Sequence, residues 1–422
     1  MNNVKDSAPQ EEILKLPLFQ GYGIEIEYMI VDKDSLDILP ITDKLMHALS
    51  GTYEDEIERG EISWSNELAL HVLEFKTKGP VKTLEKLPTL FLDQVKDANE
   101  ILKKFNARLM PTAMHPWMDP HKEMKLWPHA HNPIYESYHR IFDCRGHGWA
   151  NLQSTHINLP FSNDAEFAKL HAAIRVLLPI MPAIASSSPI INKEVTPFLD
   201  TRLNVYLHNA RAIPSITGKG IPEVARSRRE YEENILNPMY RDIAPLDPDK
   251  ILQFEWLNSR GAIARFDRYT IEIRILDVQE CPTADIAIAH AIVDVLKALT
   301  AEKWVSIDHL NAIDIDELYT IFLETIKEGE NAKIHHPDFL HAFGMKGSTT
   351  TCELWSHLIK MLWHDKGVHH SHLHQAFDVI LKQGPLARRI KNRWKKKPTP
   401  EHLKEIYRSL CDCLADDKMF LT

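Results

Sequence analysis

The sequence predicts an α+β protein built on a sheet with one apolar and one acidic face, backed by helices and followed by a helical C-terminal extension. In Gly23-Ile24-Glu25-Ile26-Glu27-Tyr28-Met29-Ile30-Val31, the residues Ile24, Ile26, Tyr28 and Ile30 alternate with Glu25 and Glu27. That period of two is the mark of a strand with one apolar side. The alternation returns in Thr155-His156-Ile157-Asn158-Leu159, with His156 and Asn158 at the polar positions, and in Thr270-Ile271-Glu272-Ile273-Arg274-Ile275, with Glu272 and Arg274. Between these runs lie segments whose apolar residues recur at helical spacing. If the three strands share one sheet, their polar positions combine into the floor of an active site.

The first strand sets the chemistry. Glu25 and Glu27 stand about 7 Å apart at the rise of a strand, and two such anions repel unless a cation lies between them. A divalent cation held by oxygen ligands is the simplest partner. Taken singly, two glutamates at i, i+2 describe the wet face of many sheets; the recurrence downstream changes the weighing.

Taken in order, residues 1–16 read as a loose leader and 43–49 as a helix, with an acidic loop over 54–58. Glu67 to Thr77 reads as one element in which Glu67 and Glu74 are seven apart, so a regular strand places them on opposite faces unless a bulge or bend intervenes. An amphipathic helix is expected over 84–108. From 114 to 148 the chain is rich in His, Pro and Trp. The spacing of His115, His121, His129, His131, His139 and His147 matches no compact metal motif, and Pro111 just before the stretch with Pro116, Pro120, Pro128 and Pro133 within it break the chain repeatedly, so a long ordered loop over the site is expected. Asn163 or Asp164 caps the next helix, which Pro179 and Pro182 kink or end. A helix over 223–236, turns at Asn237-Pro238 and Asp247-Pro248, and a helix over 284–299 capped by Thr283 follow. Beyond residue 300, helices are expected over 316–328, 350–364, 372–382 and 400–415. The chain therefore divides into 17–300, carrying the site, and 301–422, the helical extension.

A net charge of -9 argues against a protein built mainly to bind nucleic acid. The five cysteines show no CxxC spacing and are odd in number, which points to reduced thiols in the cytoplasm. No apolar run approaches the roughly 20 residues of a membrane helix, and the start of the chain is polar, so a soluble, non-secreted protein is expected.

The chain holds no phosphate-cradling G-x-x-x-x-G-K-[ST], no G-x-G-x-x-G after a strand, no H-E-x-x-H and no G-x-S-x-G. A nucleotide would then be held through metals on the acidic floor. Arg274, two residues from Glu272, suits bidentate contact with a phosphoryl group or a substrate carboxylate; an Arg–Glu pair on a sheet surface reads equally well from this strand alone. Arg202, Arg211, Arg260 and Arg265 are surface residues when taken singly and an anion-binding wall when taken together. The run His369, His370, His372, His374 reads as the solvated start of a helix, and the basic stretch 388–397 as a charged helix end.

With these residues in view, the chain resembles the type 2 glutamate–cysteine ligases, or carboxylate–amine ligases, over roughly residues 17–300. The resemblance rests on Gly23-Ile24-Glu25-Ile26-Glu27, on Glu67 and Glu74 followed by Thr77, on His156-x-Asn158 before a helix ending in Pro-x-x-Pro and Ala-Ser-Ser-Ser-Pro, and on Thr270-Ile271-Glu272-Ile273-Arg274 followed by Asp277. Ile26 departs from it, standing where many members carry a third Glu, and the tail after residue 300 is long. The resemblance implies a glutamine synthetase-like fold, with a curved, mainly antiparallel sheet backed by helices. It implies ATP and Mg2+, with Glu25, Glu27, Glu67, Glu74, His156 and Glu272 as metal ligands or their neighbours. Arg274 would then lie beside the transferred phosphate as a catalytic residue with Glu272, and Arg202, Arg265 and Asn158 would join it in holding the nucleotide. The function expected is an ATP- and Mg2+-dependent ligase joining the carboxylate of glutamate or a similar amino acid to cysteine or another amino compound. Its partners would be small molecules, without nucleic acid or membrane, in a cytoplasmic protein that is a candidate homo-oligomer. A phosphotransferase acting on a guanidino or amine acceptor and a non-catalytic binding protein using 388–397 are the alternatives.

Overall fold

The alternating run at Gly23–Val31 becomes strand β1 (Gly23–Asp32), the middle of the sheet in a computed structural model that describes residues 15–364 and 371–422. Most of the expected leader, together with His369 and His370, lies outside the described residues. The other strands are β2 (Glu56–Arg59), β3 (Ile62–Asn66), β4 (Val72–Thr77), β5 (Ala107–Met110), β6 (Ser154–Pro160), β7 (Ala262–Arg265) and β8 (Thr270–Asp277). They form one sheet in the order β2-β3-β4-β1-β6-β8-β7, with β5 also paired to β1. Every pairing is antiparallel. β1 is long enough to hold two partners on one edge: Gly23–Ile26 pair with β6, and Met29–Asp32 with β5.

The period of two sorts the faces as expected. Ile24, Ile26, Tyr28 and Ile30 are buried with Phe75, Ile157, Leu159, Ile271 and Ile273 in the main core. Helices Leu87–Leu102, Asp164–Leu177 and Pro282–Thr300 supply much of the rest of that core. Pro282–Thr300 is buried along nearly its whole length, as its many alanines and aliphatics require, and it touches the helices Leu87–Leu102, Asp164–Leu177 and His372–Gln383. Apolar residues on both sides of residue 300 enter this one core.

Several expectations need correction. The stretch 67–77 is not one element: β3 ends at Asn66, residues 67–71 form the connection, and β4 begins at Val72. The helix expected over 84–108 stops at Leu102, where a 3-10 turn and left-handed Asn106 lead into β5, so Arg108 is a strand residue. The stretch 114–148 is not only loop, because Asn132–Phe142 is helical with Pro133 in its first turn, where a proline costs no hydrogen bond. The helix expected over 223–236 begins at Arg228 behind a Ser227 cap, passes through a π-helical turn at Glu232–Leu236 and continues to Ile243. Pro238 follows directly on the π-helical turn inside this helical run, so no turn forms at Asn237-Pro238. Thr283 does not cap the helix Pro282–Thr300; its hydroxyl donates to Asp417 at 2.6 Å.

The C-terminal helices Ile315–Glu328, Thr351–Ile359, His372–Gln383 and Pro400–Asp416 follow the expected spans closely. The basic stretch lies on the helix Leu386–Lys395, where Arg388 meets Glu330 at 2.6 Å and Arg389 is buried against Glu280. Among the described residues, no helix is long and apolar enough to cross a membrane.

Candidate active site

The sheet order assigns the polar face. Antiparallel register sets Glu25 opposite both Lys76 and His156, Glu27 opposite Glu74, and Glu272 opposite Asn158. Four neighbouring strands thus deliver Glu74, Glu25, Glu27, His156 and Glu272 to one surface. The connection after β3 adds Glu67, because the hairpin reverses the chain and sets residue 67 beside residue 74 without any bulge. These residues line a cleft of about 510 Å³. Its walls include Tyr135 and Tyr138 from the helix Asn132–Phe142, with Trp149, Tyr206 and Trp256. The stretch 114–148 therefore contributes cleft residues, His131 among them, and three of its histidines have protein partners: His115 the Leu36 carbonyl at 2.8 Å, His129 Asp43 at 3.2 Å and His131 Asp55 at 2.9 Å.

Two sets of donors on the floor can hold a cation. Glu25, Glu74 and His156 form one and Glu27, Glu67 and Glu74 the other, each with its ligand atoms within 4.8 Å of one another. Glu74 belongs to both. His156 Nδ1 lies 2.8 Å from Glu25 and 3.9 Å from Glu272, and its Nε2 lies 2.8 Å from the Ser154 hydroxyl. Glu27 accepts the Ser154 amide at 2.8 Å and its hydroxyl at 3.2 Å. Ser65 donates to Glu74 at 2.6 Å. These contacts fix the carboxylates in orientation and leave oxygen atoms facing the cleft.

The protonation of the floor shows the strain of so many like charges. Burial pushes the Glu25 carboxyl up, but the hydrogen bond and charge of His156, helped by Lys76 and Arg274, outweigh it and hold the group at about 2. Burial alone would lower His156; its bond to Glu25 and the charges of Glu25, Glu27 and Glu272 raise it to about 9. Burial and the charge of Glu27 lift Glu67 to about 7, and burial with the charges of Glu25 and Glu67 lifts Glu74 well above the carboxylate range. An oxygen-rich, over-charged donor set of this kind suits a hard divalent cation such as Mg2+.

Cations gather toward the β8–β7 end. Arg274 reaches Glu272 Oε1 through Nε at 3.0 Å and a terminal nitrogen at 2.9 Å, and Arg265 lies 3.6 Å from the other carboxylate oxygen. Arg202 lines the cleft but spends both terminal nitrogens on the protein, on the carbonyls of Arg274 and Ile275. Asn158 is set back: its amide donates to Glu25 at 3.0 Å. Of the other arginines, Arg260 is paired with Glu223 at 2.5 Å and Arg211 is exposed. Sequence reasoning missed Lys76, which lies 3.7 Å from Glu74 and 2.8 Å from Glu56. Glu74 entered through the resemblance, and the period of two from it reaches Lys76 two residues on. Ser65, Ser154 and the aromatic walls carried no such signal.

The match to known proteins agrees with this geometry. The family model of glutamate–cysteine ligase family 2 matches residues 22–338. An uncharacterized protein of Archaeoglobus fulgidus is 35% identical over 276 residues, covering 65% of this chain and 74% of that protein. A Ruegeria pomeroyi protein named "putative glutamate–cysteine ligase 2" is 27% identical over 271 residues, 61% of this chain and 60% of its own length. Among solved structures, glutamate–cysteine ligase from Francisella tularensis in complex with AMP has the same fold, with a TM-score of 0.59 at 13% identity over 96% of this chain and 90% of that one. An antiparallel sheet with an acidic cleft face and these matches define the class as the ATP-dependent carboxylate–amine ligases. Within it, the chain belongs to glutamate–cysteine ligase family 2.

Proposed function

We propose that the protein joins the carboxylate of glutamate or a similar amino acid to the amine of cysteine or another amino compound, using ATP and Mg2+ through an acyl phosphate. The observation that carries this reading is the convergence of Glu25, Glu27, Glu67, Glu74, Glu272 and His156 on one face, with Arg274 and Arg265 beside them. In the overall reaction the γ-phosphoryl group moves from ATP to the substrate carboxylate. The amine then attacks the acyl carbon and phosphate leaves, so acid, amine and ATP become amide, ADP and phosphate, with the ammonium proton released.

Mg2+ held by the two donor sets would neutralise charge on phosphate oxygens. The protein's own residues position and shield. Ser154, Ser65 and Asn158 orient Glu27, Glu74 and Glu25. Glu272 steers the Arg274 guanidinium, whose Nη1 also donates to the Asn258 carbonyl at 3.4 Å; the remaining N–H groups of its two terminal nitrogens are the donors for a transferring phosphoryl group, and Arg265 adds a second cation on the same side. Tyr135, Tyr138 and Trp149 limit water above the floor. In this reading 17–300 is the catalytic part and 301–422 a helical extension, the partners are small molecules and the protein is cytoplasmic.

Phosphate release followed with the acid or the amine left out tests the proposal. A ligase releases phosphate at its full rate only when both are present. Accumulation of a phosphorylated acceptor without phosphate release would favour the phosphotransferase reading, which the same cleft also accommodates. A screen of amino acids and amines for raised melting temperature with ATP and Mg2+ names the substrates, since a ligand at one hundred times its Kd adds about 2.7 kcal/mol.

A further inference from the structure

We infer that Arg202 is a positioning residue: it holds open the bulge of β8 and thereby sets Arg274 over Glu272. The inference rests on the proposed role of Arg274 at the phosphoryl group, but its structural half can be tested without it.

The bulge is visible in the register. Ile273 of β8 pairs with Ile157 of β6, and the next pair is Leu276 with Thr155. Three steps on one strand match two on the other, so Arg274 and Ile275 together oppose His156. Such an extra residue leaves the ladder locally unpaired and re-aims a side chain, which is why bulges gather beside active sites. On the far edge Arg274 still donates its amide to the Gly261 carbonyl at 2.9 Å, while its own carbonyl and that of Ile275 accept from a side chain. Arg202 meets them: Nη2 donates to the Arg274 carbonyl at 3.0 Å and Nη1 to the Ile275 carbonyl at 3.2 Å. The planar fork spans two successive carbonyls in a fixed geometry, which the single nitrogen of a lysine on its flexible stem matches only in part.

Arg202 is itself held from behind. It is 2% exposed, and it lies in the first turn of the short helix Thr201–Tyr206, which Asp200 caps at the Leu203 amide. Its amide donates to the Ser188 hydroxyl at 3.1 Å, and that hydroxyl donates to Asp277 at 2.8 Å. Asp277 also accepts the Ser187 amide at 2.8 Å and lies 3.5 Å from Arg202 Nη1. The run Ser186-Ser187-Ser188 is thus tied to the end of β8 through Asp277, and Arg202 is clamped between that tie and the bulge. Gly261 completes the arrangement, because a Cβ there would lie 2.3 Å from Ile275 Cγ2. Nothing in this chain of contacts requires a ligand. Of the three nitrogens of the Arg202 guanidinium, Nε is the one that is buried without a partner among the described residues.

The test compares the full-length parent with Arg202→Met, Arg202→Lys, Arg274→Met and the double variant Arg202→Met/Arg274→Met. Hydrogen–deuterium exchange is read on peptides covering 270–278, and kcat and KM for ATP on turnover with acid and amine. In Arg202→Met, exchange should quicken in 270–278 while 23–32 and 154–160 keep their protection. Its kcat should fall roughly 10- to 100-fold, as expected when a reacting group is misplaced by about 1 Å, with KM for ATP within about twofold. Arg202→Lys should recover part of both losses. On the Arg274→Met background, removing Arg202 should cost less than about threefold further, because one residue acts through the other. If Arg202→Met fails to fold, Arg202→Lys carries the exchange and kinetic readouts. Unchanged exchange in 270–278 overturns the inference. So does a tenfold rise in KM with kcat intact, which would make Nε a ligand contact, or full additivity with Arg274→Met. If the parent shows no ATP-dependent ligation with any acid and amine, the functional reading fails while the exchange result still decides whether Arg202 holds the bulge.

Discussion

Where the helix Leu386–Lys395 meets the connection after β8, Arg389 and Glu280 are both fully enclosed, and each charge has its counterpart: the guanidinium also donates to the Phe420 carbonyl at 2.7 Å and the Gly384 carbonyl at 3.2 Å, and Glu280 accepts the Phe420 amide at 3.1 Å. The cleft floor obeys the opposite rule. There five carboxylates crowd around His156, and burial together with mutual repulsion pushes Glu67 to about 7 and Glu74 well upward. A matched buried pair serves the fold, since removing either half strands the other in a medium that cannot solvate it. An excess of one sign, held in place by serine and asparagine donors, serves a ligand of the other sign. Burial alone does not separate structural from functional charge; the balance does.

The contrast can be broken most forcefully at the matched pair. Arg389→Met should destabilise the protein by about 3–5 kcal/mol, the cost of leaving one buried partner uncompensated, measured by urea denaturation. A loss under 1 kcal/mol would show that Glu280 finds a proton or another partner.

On the floor the large effect should fall on rate. Arg274→Lys keeps the charge but loses the fork, and kcat should drop roughly 10²-fold, about 2.7 kcal/mol, with little change in KM for ATP. Full recovery of kcat at high Mg2+ would instead make Arg274 a prop for Glu272.

Smaller, and opposite in sign to the Arg389 variant, is the expected effect of Glu74→Gln on the metal-free protein. At alkaline pH, where the Glu74 carboxyl is ionised, relief of like-charge repulsion should raise its melting temperature by roughly 2 °C, while calorimetry should find Mg2+ binding lost, because Glu74 is shared by both donor sets. Unchanged Mg2+ affinity would remove Glu74 from the metal assignment.

The gentlest probe is pH. His156 is raised from 6.5 to about 9 and Glu67 from 4.5 to about 7. Each therefore contributes stability that is whole below its ordinary value and fades as pH climbs through the higher one. Glu25, held at about 2, contributes in the other direction, and that contribution is lost only as pH falls from 4.5 toward 2. The metal-free melting temperature should thus decline between pH 6 and pH 9. Mg2+ should flatten the decline, since its ligands bind deprotonated. A metal-free curve without slope across that window would contradict the crowded floor.

Most of the floor could be read from the chain because a strand enforces its period locally. Whichever sheet Gly23–Val31, Thr155–Leu159 and Thr270–Ile275 joined, Glu25 had to share a face with Glu27, His156 with Asn158 and Glu272 with Arg274. The same rule placed Ile26 in the core, where it is fully buried. Helix existence in the C-terminal part was equally readable, since each apolar stripe repeats over several turns. Helix ends were not: Leu102 and Arg228 are set by a left-handed Asn106 and a Ser227 cap, single-residue signals that the neighbouring apolar pattern obscures.

What the sequence by itself determined is therefore which side chains lie on one side of each strand, a matter of backbone geometry between adjacent residues. Tertiary structure decided what those sides face and how they combine. The hairpin at 67–71 brought Glu67 to Glu74 across an odd spacing. Antiparallel register set Glu25 against His156 and Lys76. The β8 bulge placed Arg202 behind Arg274. The hairpin depends on where a short loop reverses the chain, and the other two on hydrogen bonds between segments dozens to more than a hundred residues apart; no local period encodes which strand will be the neighbour.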